Sequence, residues 1–585
     1  METKIEAKEV KVGDIFSPSF MFKIPIYQRN FSWSYDDFDV LFEDIAESMD
    51  SGQKQYFLGS ILLQETSLAH LYELVDGQQR LTCLAILFAV IRDSIKNEDL
   101  TNQIQEYLYQ SEDPLKGIPA VMRISPWKDL SKLFQKYVYN INGTETFIED
   151  FNKKIITYTD TQDPVYHLYE AISIFKSKVS EMDNLENYLV YLLNNVYMVY
   201  IKTNSFNSAF RLFNVLNSRG VPLSTYDLLK SENLGEINSE EQREEYASKL
   251  RNIENEIGLK EIEKIIGYIR TIKTMEKAKI NVYDEYKDIF NKGIMNRGIE
   301  FIEYFQRIKN IYYNKILEPK LNTNFPESKN NYKIIIDLMD RFIPNADWIP
   351  PVLAFKDKFE SDVHLLDFTL KLEKKVLVEW MAGFSPTERI TSLNKIIKLI
   401  DVSETSEEVV NQLLYYRPKE VSRGRANRVL DFNDKNEINS IINTKLNDNQ
   451  LYTIYGGKLA RYVLLRYDMG LWDLENFPGY PGMITVEHIL PQNPPKNSEW
   501  TNTFDDEQRE EWTNKLGNLV LLSGRKNSQA RNFDFKKKKD VYFAKKSVPF
   551  QITQKIRTQE DWTPKSLMER HESFVNDFTK LLICN

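Results

Sequence analysis

Cysteine is almost missing: 585 residues contain two, Cys83 inside an apolar run and Cys584 at the last position but one. That excludes a disulfide framework and a thiolate metal site, and it makes a reducing cytoplasm the expected compartment. Nowhere does a GxxxxGK[ST] loop occur, and Gly456-Gly457-Lys458 lacks its spacing. Any nucleotide hydrolysis is therefore not of the P-loop kind. The longest apolar run, Leu81 to Ile91, falls well short of the ~20 residues a membrane span needs. Met1 to Val10 is charged rather than signal-like, so a soluble intracellular chain without membrane contact is expected. A formal net charge of -9 argues against indiscriminate nucleic-acid binding, and any DNA contact must be local.

What is there begins with length. A chain of 585 residues exceeds one core and is expected to divide, here into 1–235, 236–405 and 406–585. Chemistry concentrates between Val486 and Asn527, where Glu487-His488-Ile489-Leu490-Pro491 precedes Leu516-Gly517-Asn518-Leu519-Val520-Leu521-Leu522 and then Asn527. Ile484 to Ile489 reads as a strand carrying Glu487 and His488, Asn518 to Leu522 as the returning strand, and Ser523-Gly524 as the turn into a helix bearing Asn527. A histidine of ordinary pKa takes a proton from water at neutral pH, and a carboxylate with an amide oxygen offers hard ligands to Mg²⁺. That set suits phosphodiester hydrolysis. Taken alone, His488 reads more readily as a half-buried strand histidine.

The order Glu-His, Gly-Asn-Leu, Asn resembles the HNH, or ββα-metal, nuclease motif. Its EHILPQ…LGNLVLL…N spelling resembles the C-terminal domain of GmrSD-type modification-dependent restriction enzymes. The resemblance implies that His488 is the general base, that Asn518 orients its ring, and that Glu487 and Asn527 hold Mg²⁺ or Mn²⁺ to stabilise the leaving 3′ oxygen. Many HNH domains carry two CxxC zinc knuckles; this chain has none, so core packing must hold the site.

At the other end, Lys23 to Trp33 is extended, aromatic and basic, and Ser34 caps a helix with Phe38, Leu41, Phe42, Ile45 and Met49 on one face. Tyr56 to Gln64 and Leu71 to Val75 read as strands. Asp76-Gly77-Gln78-Gln79-Arg80 then turns into a helix from Leu81 to about Ile95, and such a turn is a natural anion site. Arg80 would clamp a phosphate and Asp76 hold a metal or orient water; the plain alternative is a turn with a surface ion pair. IPIYQRNFSW followed by LVDGQQRLT resembles the ParB-like N-terminal domain of GmrSD-type proteins, whose DGQQR segment is linked to nucleoside triphosphate binding and hydrolysis. Ala209 to Lys230 resembles the end of that domain. The resemblance implies a GTP or ATP pocket lined by Gln78, Gln79, Arg80, Asn217, Arg219 and Lys230, while Ser224 simply caps the helix containing Asp227. Tyr27, Gln28 and Arg29 either touch the nucleotide, contact a modified feature of DNA, or pack the domain.

Asn97 to Lys202 carries helical periodicity, as in Leu185 to Val199, and demands no chemistry; His70 and His167 stand alone. From Ser231 to Asp401 the pattern is that of a charged helical bundle, broken at Arg341 to Pro351 with an exposed-looking Trp348; His364 stands alone there too. Arg417 to Arg428 is basic, either a DNA contact or a solvated loop. Trp500 to Trp512 reads as an acidic surface excursion. Past the motif, Arg525, Lys526, Arg531, Lys536, Lys537, Lys538, Lys539, Lys545 and Lys546 leave the segment cationic by roughly seven charges; a lysine run alone is usually a solvated face, but beside His488 and Asn527 it reads as the footprint of a phosphate-tracking surface.

The resulting expectation is a mostly helical α+β multidomain protein with a ParB-like α/β N-terminal domain, a helical middle and a ββα-metal C-terminal domain. It would be an anti-phage endonuclease cutting DNA, modified or phage-derived, under nucleotide control, and possible as a homo-oligomer. A nucleotide-dependent DNA-binding regulator and an RNA nuclease are the competing readings.

Overall fold

The computed structural model describes residues 5–584 apart from 26–27, 29, 67, 111, 113–119, 127, 160, 162, 205–223, 417–427, 478, 481–482 and 545–548. The sequence reading set three parts; the contacts group the chain into two compact units. One comprises Met1–Glu263 with Met295–Ile302, the other Lys264–Ile294 with Glu303–Asn585. Helices dominate, joined by small sheets, which makes the protein a mostly helical α+β one.

The first unit is built on a mixed sheet. In spatial order its strands are β1 (Ile5–Lys11), β8 (Val196–Thr203), β3 (Tyr56–Glu65), β4 (Leu71–Asp76), β2 (Met21–Lys23) and β7 (Ile124–Ser125). β5 (Tyr109–Gln110) and β6 (Val121–Met122) form a separate short pair. Strand β3 lies parallel to β8 and antiparallel to β4, while β2 is parallel to both its neighbours. Helix Gln78–Ser94 is buried continuously from Leu81 to Arg92, which explains why its sequence shows an unbroken apolar run rather than a stripe. The helical reading of Leu185 to Val199 is corrected: the helix stops at Asn194 and β8 begins at Val196. Val196, Met198 and Tyr200 are buried in alternation, the period of a strand. Helix Tyr35–Asp50 starts from Ser34 in a capping box with Asp37, and Thr225–Gly235 starts from Ser224 in one with Asp227. Each box satisfies two backbone donors that a bare helix end leaves open.

The expected helical middle is divided between the units: 236–263 and 295–302 belong to the first, and the rest joins the C-terminal part in the second. Glu373 on helix Leu365–Met381 accepts from Tyr462 at 2.6 Å and Arg466 at 2.8 Å on helix Lys458–Met469. This buried charge is thus paired and hydrogen-bonded, as burial requires. Trp348 is fully buried rather than exposed, and Pro350 and Pro351 open helix Ile349–Lys358, since proline is tolerated in a first helical turn where its missing N–H is not needed. Strands β9 (Ile484–His488) and β10 (Leu519–Ser523) form a two-stranded antiparallel sheet. The segment between them is helical, Glu499–Thr503 and Asp506–Trp512. Its Trp500 is buried, with the indole N–H donating to the Phe533 carbonyl at 3.0 Å, so the excursion is anchored in the core.

Candidate active site

In the β9–β10 ladder His488 faces Leu519 and Glu487 faces Val520. Helix Gly524–Ala530 follows directly, and Asn527 donates from Nδ2 to the Val486 carbonyl at 3.1 Å, tying that helix to β9. Strand, strand and helix thus stand together, with Glu487 and His488 on opposite faces of β9 and Asn527 bonded to its backbone.

Asn518 is fully buried in the turn before β10 and is spent on backbone. Its Oδ1 accepts from Leu490 N at 2.7 Å and from the Trp562 indole at 3.3 Å. Its Nδ2 donates to the carbonyls of Leu490 and Thr513, both at 2.8 Å. A four-bond amide of this kind locks both chain segments that flank the site. The expectation that Asn518 holds the His488 ring is corrected, because the ring's partner is Asn514. His488 Nε2 lies 3.1 Å from Asn514 Oδ1, and Gln492 Nε2 donates to that same oxygen at 3.3 Å. The Tyr452 ring meets the imidazole edge-on, 4.5 Å between centroids. His488 is 8% exposed. Burial, aided by the Lys538 charge and opposed by the Asn514 bond, lowers its pKa to about 4, so the ring is neutral at pH 7 and able to accept a proton.

Glu487 is not placed as a free ligand. The Lys538 ammonium donates to its Oε1 at 2.7 Å and to the His488 carbonyl at 2.6 Å, and the Tyr542 hydroxyl donates to Oε1 at 3.1 Å. Burial pushes the Glu487 carboxyl up and the Lys538 amine down, and their mutual attraction opposes both shifts. As placed, Glu487 already has a cationic partner, while the Asn527 Oδ1 has no hydrogen-bond partner among the described residues. The carboxylate charge faces the buried Lys538 ammonium, and only the Nδ2 side of the Asn527 amide is spent, on the Val486 carbonyl. Among the described residues no group of three His, Cys, Asp or Glu side chains is arranged to hold a metal.

Lys538 also departs from the phosphate-tracking role, since it is 1% exposed. Phe535, Lys538 and Tyr542 are the buried residues of helix Phe535–Phe543, and spacing of three and four puts them on one face. Lys536, Lys537 and Arg531 are exposed, with Lys537 over the Phe533 ring at 3.8 Å. Lys539 donates to the Gln559 carbonyl. The side chains of Arg525 and Lys526, and residues 545–548 and 417–427, lie outside what the structure describes.

Sequence reasoning missed the support from helix Pro564–Cys584. Gly517 N donates to His571 Nδ1 at 3.2 Å, and His571 Nε2 lies 3.0 Å from Asn447 Oδ1. Arg570 donates to the carbonyls of Gly517 and, at 3.1 Å, Leu519. A Cβ on Gly517 would lie 2.6 Å from the His571 Cβ, so the motif's glycine is required by close approach. His571 is one of five histidines, and with Leu567, Phe574 and Phe578 it shares the buried face of its helix; that was the available signal.

The first unit carries the other motif. Gly77 adopts φ +88 and a Cβ there would fall 2.5 Å from the Ile61 side chain, so only glycine turns β4 into helix Gln78–Ser94. Arg80 is half-buried, with its guanidinium against Gly59 at the β3 irregularity. It donates to the Ser60 carbonyl at 3.0 Å, and burial lowers its pKa against the pull of Asp76. Gln79 is a clamp: its Oε1 accepts from Ser32 N at 3.0 Å and its Nε2 donates to the Asn30 carbonyl at 2.9 Å. Gln28 donates to the Val75 carbonyl at 2.7 Å. Gln78 is buried, and its Oε1 has no partner among the described residues. Lys230 is buried and committed to Glu254 at 2.6 Å. Tyr27, Arg29, Asn217 and Arg219 lie outside the described residues.

With both motifs placed, the chain compares directly with known families. Residues 12–234 match the GmrSD restriction endonuclease N-terminal domain, and residues 437–577 match the GmrSD restriction endonucleases C-terminal domain. The protein is a restriction endonuclease, a DNA-cutting enzyme of phage defence. It belongs to the GmrSD family, of type IV. No curated protein matched the sequence. No helix among the described residues is long and apolar enough to cross a membrane.

Proposed function

We propose that this protein cuts DNA at an HNH-type site in which His488 is the general base, under the control of a nucleotide bound at the Asp76–Arg80 turn. The observation that carries the first part is the ββα unit itself. His488 ends β9 with a neutral, buried ring, and a saturated Asn518 locks the turn that follows it. His488 takes a proton from a water, the water oxygen attacks phosphorus, and the bond to the 3′ oxygen breaks, that oxygen taking up a proton from a second water as it leaves. General-base assistance of this kind contributes roughly 10²–10⁴-fold. Lys536, Lys537 and Arg531, exposed next to the site in sequence, track the flanking phosphates. For the second part, the Gly77 turn with Arg80 beneath it supports an anion at the helix start, GTP or ATP in this reading. Modified or phage DNA is the proposed substrate, and sensing it the proposed task of the N-terminal unit. Mg²⁺ or Mn²⁺ dependence is proposed without assigning the ion to Glu487 and Asn527.

The test is plasmid cleavage by wild type and His488→Ala on unmodified, phage-derived and RNA substrates, with Mg²⁺, Mn²⁺ or EDTA, and with or without GTP or ATP. DNA cutting that His488→Ala abolishes is expected. Retained DNA binding with no cutting of any substrate would turn the reading to a DNA-binding regulator, and preference for RNA would turn it to an RNA nuclease.

A further inference from the structure

The His488 ring has two nitrogens, and the structure spends only one. Nε2 meets Asn514 Oδ1 at 3.1 Å; among the described residues Nδ1 has no hydrogen-bond partner. An amide oxygen can only accept, so the contact requires the proton on Nε2. Gln492 Nε2 donates to the same oxygen, which turns the carbonyl side of the Asn514 amide, and not its NH₂, toward the ring. Asn514 is itself held in place. Its neighbour Thr513 gives its carbonyl to Asn518 Nδ2 at 2.8 Å, and the Thr513 hydroxyl donates to the Arg509 carbonyl at 2.6 Å. Asn518 therefore reaches the histidine at one remove, through the Thr513 backbone.

We infer that Asn514 is the positioning residue of the nuclease site: it fixes His488 in the Nε2–H tautomer and leaves the Nδ1 lone pair as the atom that takes the proton from water. Which ring nitrogen carries the proton is set by the hydrogen bond at the other, and a wrong tautomer removes the base without disturbing the fold. Gln492 is the second member of the device, since it holds the amide that holds the ring. The inference rests on the reading of His488 as the general base only in what the tautomer is for; the tautomer itself follows from the contacts.

The experiment is ring-¹⁵N histidine NMR on the full chain at neutral pH, with the His488 signals identified by their loss in His488→Gln. Wild type is expected to show the Nε2–H tautomer. In Asn514→Ala the Nδ1–H form should appear, with kcat lowered about 10–100-fold, as is typical when an orienting partner is removed, and the KM for DNA little changed. Asn514→Asp keeps an acceptor at the same place and is expected to retain the tautomer; it serves as the folded control if the alanine variant is unstable. An Nδ1–H ring in wild type, or an unchanged tautomer in Asn514→Ala, overturns the assignment. A wild type that shows the expected tautomer but cuts no nucleic acid sinks the nuclease reading and leaves the positioning intact.

Discussion

His488 and His571 sit in the same unit in nearly the same circumstances. Both are buried, both have a pKa lowered to about 4 by burial, and each presents Nε2 to an asparagine oxygen, Asn514 in one case and Asn447 in the other. They differ at Nδ1. In His571 that nitrogen accepts the Gly517 N–H; in His488 it has no partner among the described residues. A displaced pKa thus marks both rings equally and separates neither. What separates them is the unspent lone pair, which is why the proposed chemistry is given to His488 and scaffolding to His571.

The largest expected effect breaks the pair apart. His488→Ala should lower kcat per folded molecule by about 10²–10⁴-fold, well beyond any loss of folded protein seen in melts. His571→Ala should instead leave the Gly517 N–H buried without an acceptor, a cost of about 1–3 kcal/mol in denaturant melts, with activity following the folded fraction. If both variants lose activity at full stability, the comparison fails. Next comes the charge behind His488. Lys538→Met leaves the Glu487 carboxylate buried and unpaired and should destabilise by about 3–5 kcal/mol, most of which the double variant with Glu487→Gln should restore.

The shared property predicts a shared response to acid. Both folded pKa values lie near 4, below the unfolded value of 6.5, so between those values the unfolded chain holds more protons than the folded one. Stability is full above pH 6.5 and is lost as pH falls toward 4, by on the order of 3 kcal/mol per ring. Urea melts at several pH values should show this slope, and His571→Ala should flatten it. Cleavage should meanwhile persist to about pH 5, where a histidine of ordinary pKa would be mostly protonated.

Gly517→Ala presses a methyl into His571 and should cost about 1–3 kcal/mol, read as a lowered melting temperature with His488 untouched. The smallest effect concerns the lysine run. Lys536→Gln or Lys537→Gln should each reduce the salt slope of DNA binding by about one and leave stability unchanged, in contrast to Lys538.

Much of this was legible. The alternation around Glu487 and His488, the Leu-rich return through Leu519 to Leu522, and the Ser34 and Ser224 caps are local patterns, and the structure places β9, β10 and the two capping boxes on them. What escaped were facts of tertiary geometry. Asn514 lies just past the Trp500 to Trp512 segment that reads as an acidic surface excursion, and only the fold carries it to the ring. Lys538 looked like its neighbours because composition ignores phase, although Phe535 and Tyr542 at helical spacing mark it as inward. Strand β8 was hidden because the helix Leu185–Asn194 runs into it with only one residue between, so its two-residue period was read as more helix.

Helix Pro564–Cys584 carries a consequence in time. His571 and Arg570 hold the Gly517–Leu519 turn, and the turn holds the segments on either side of His488 through Asn518. During synthesis all motif residues leave the ribosome before that helix does. A nascent chain therefore carries the motif residues before it carries the helix that supports their turn.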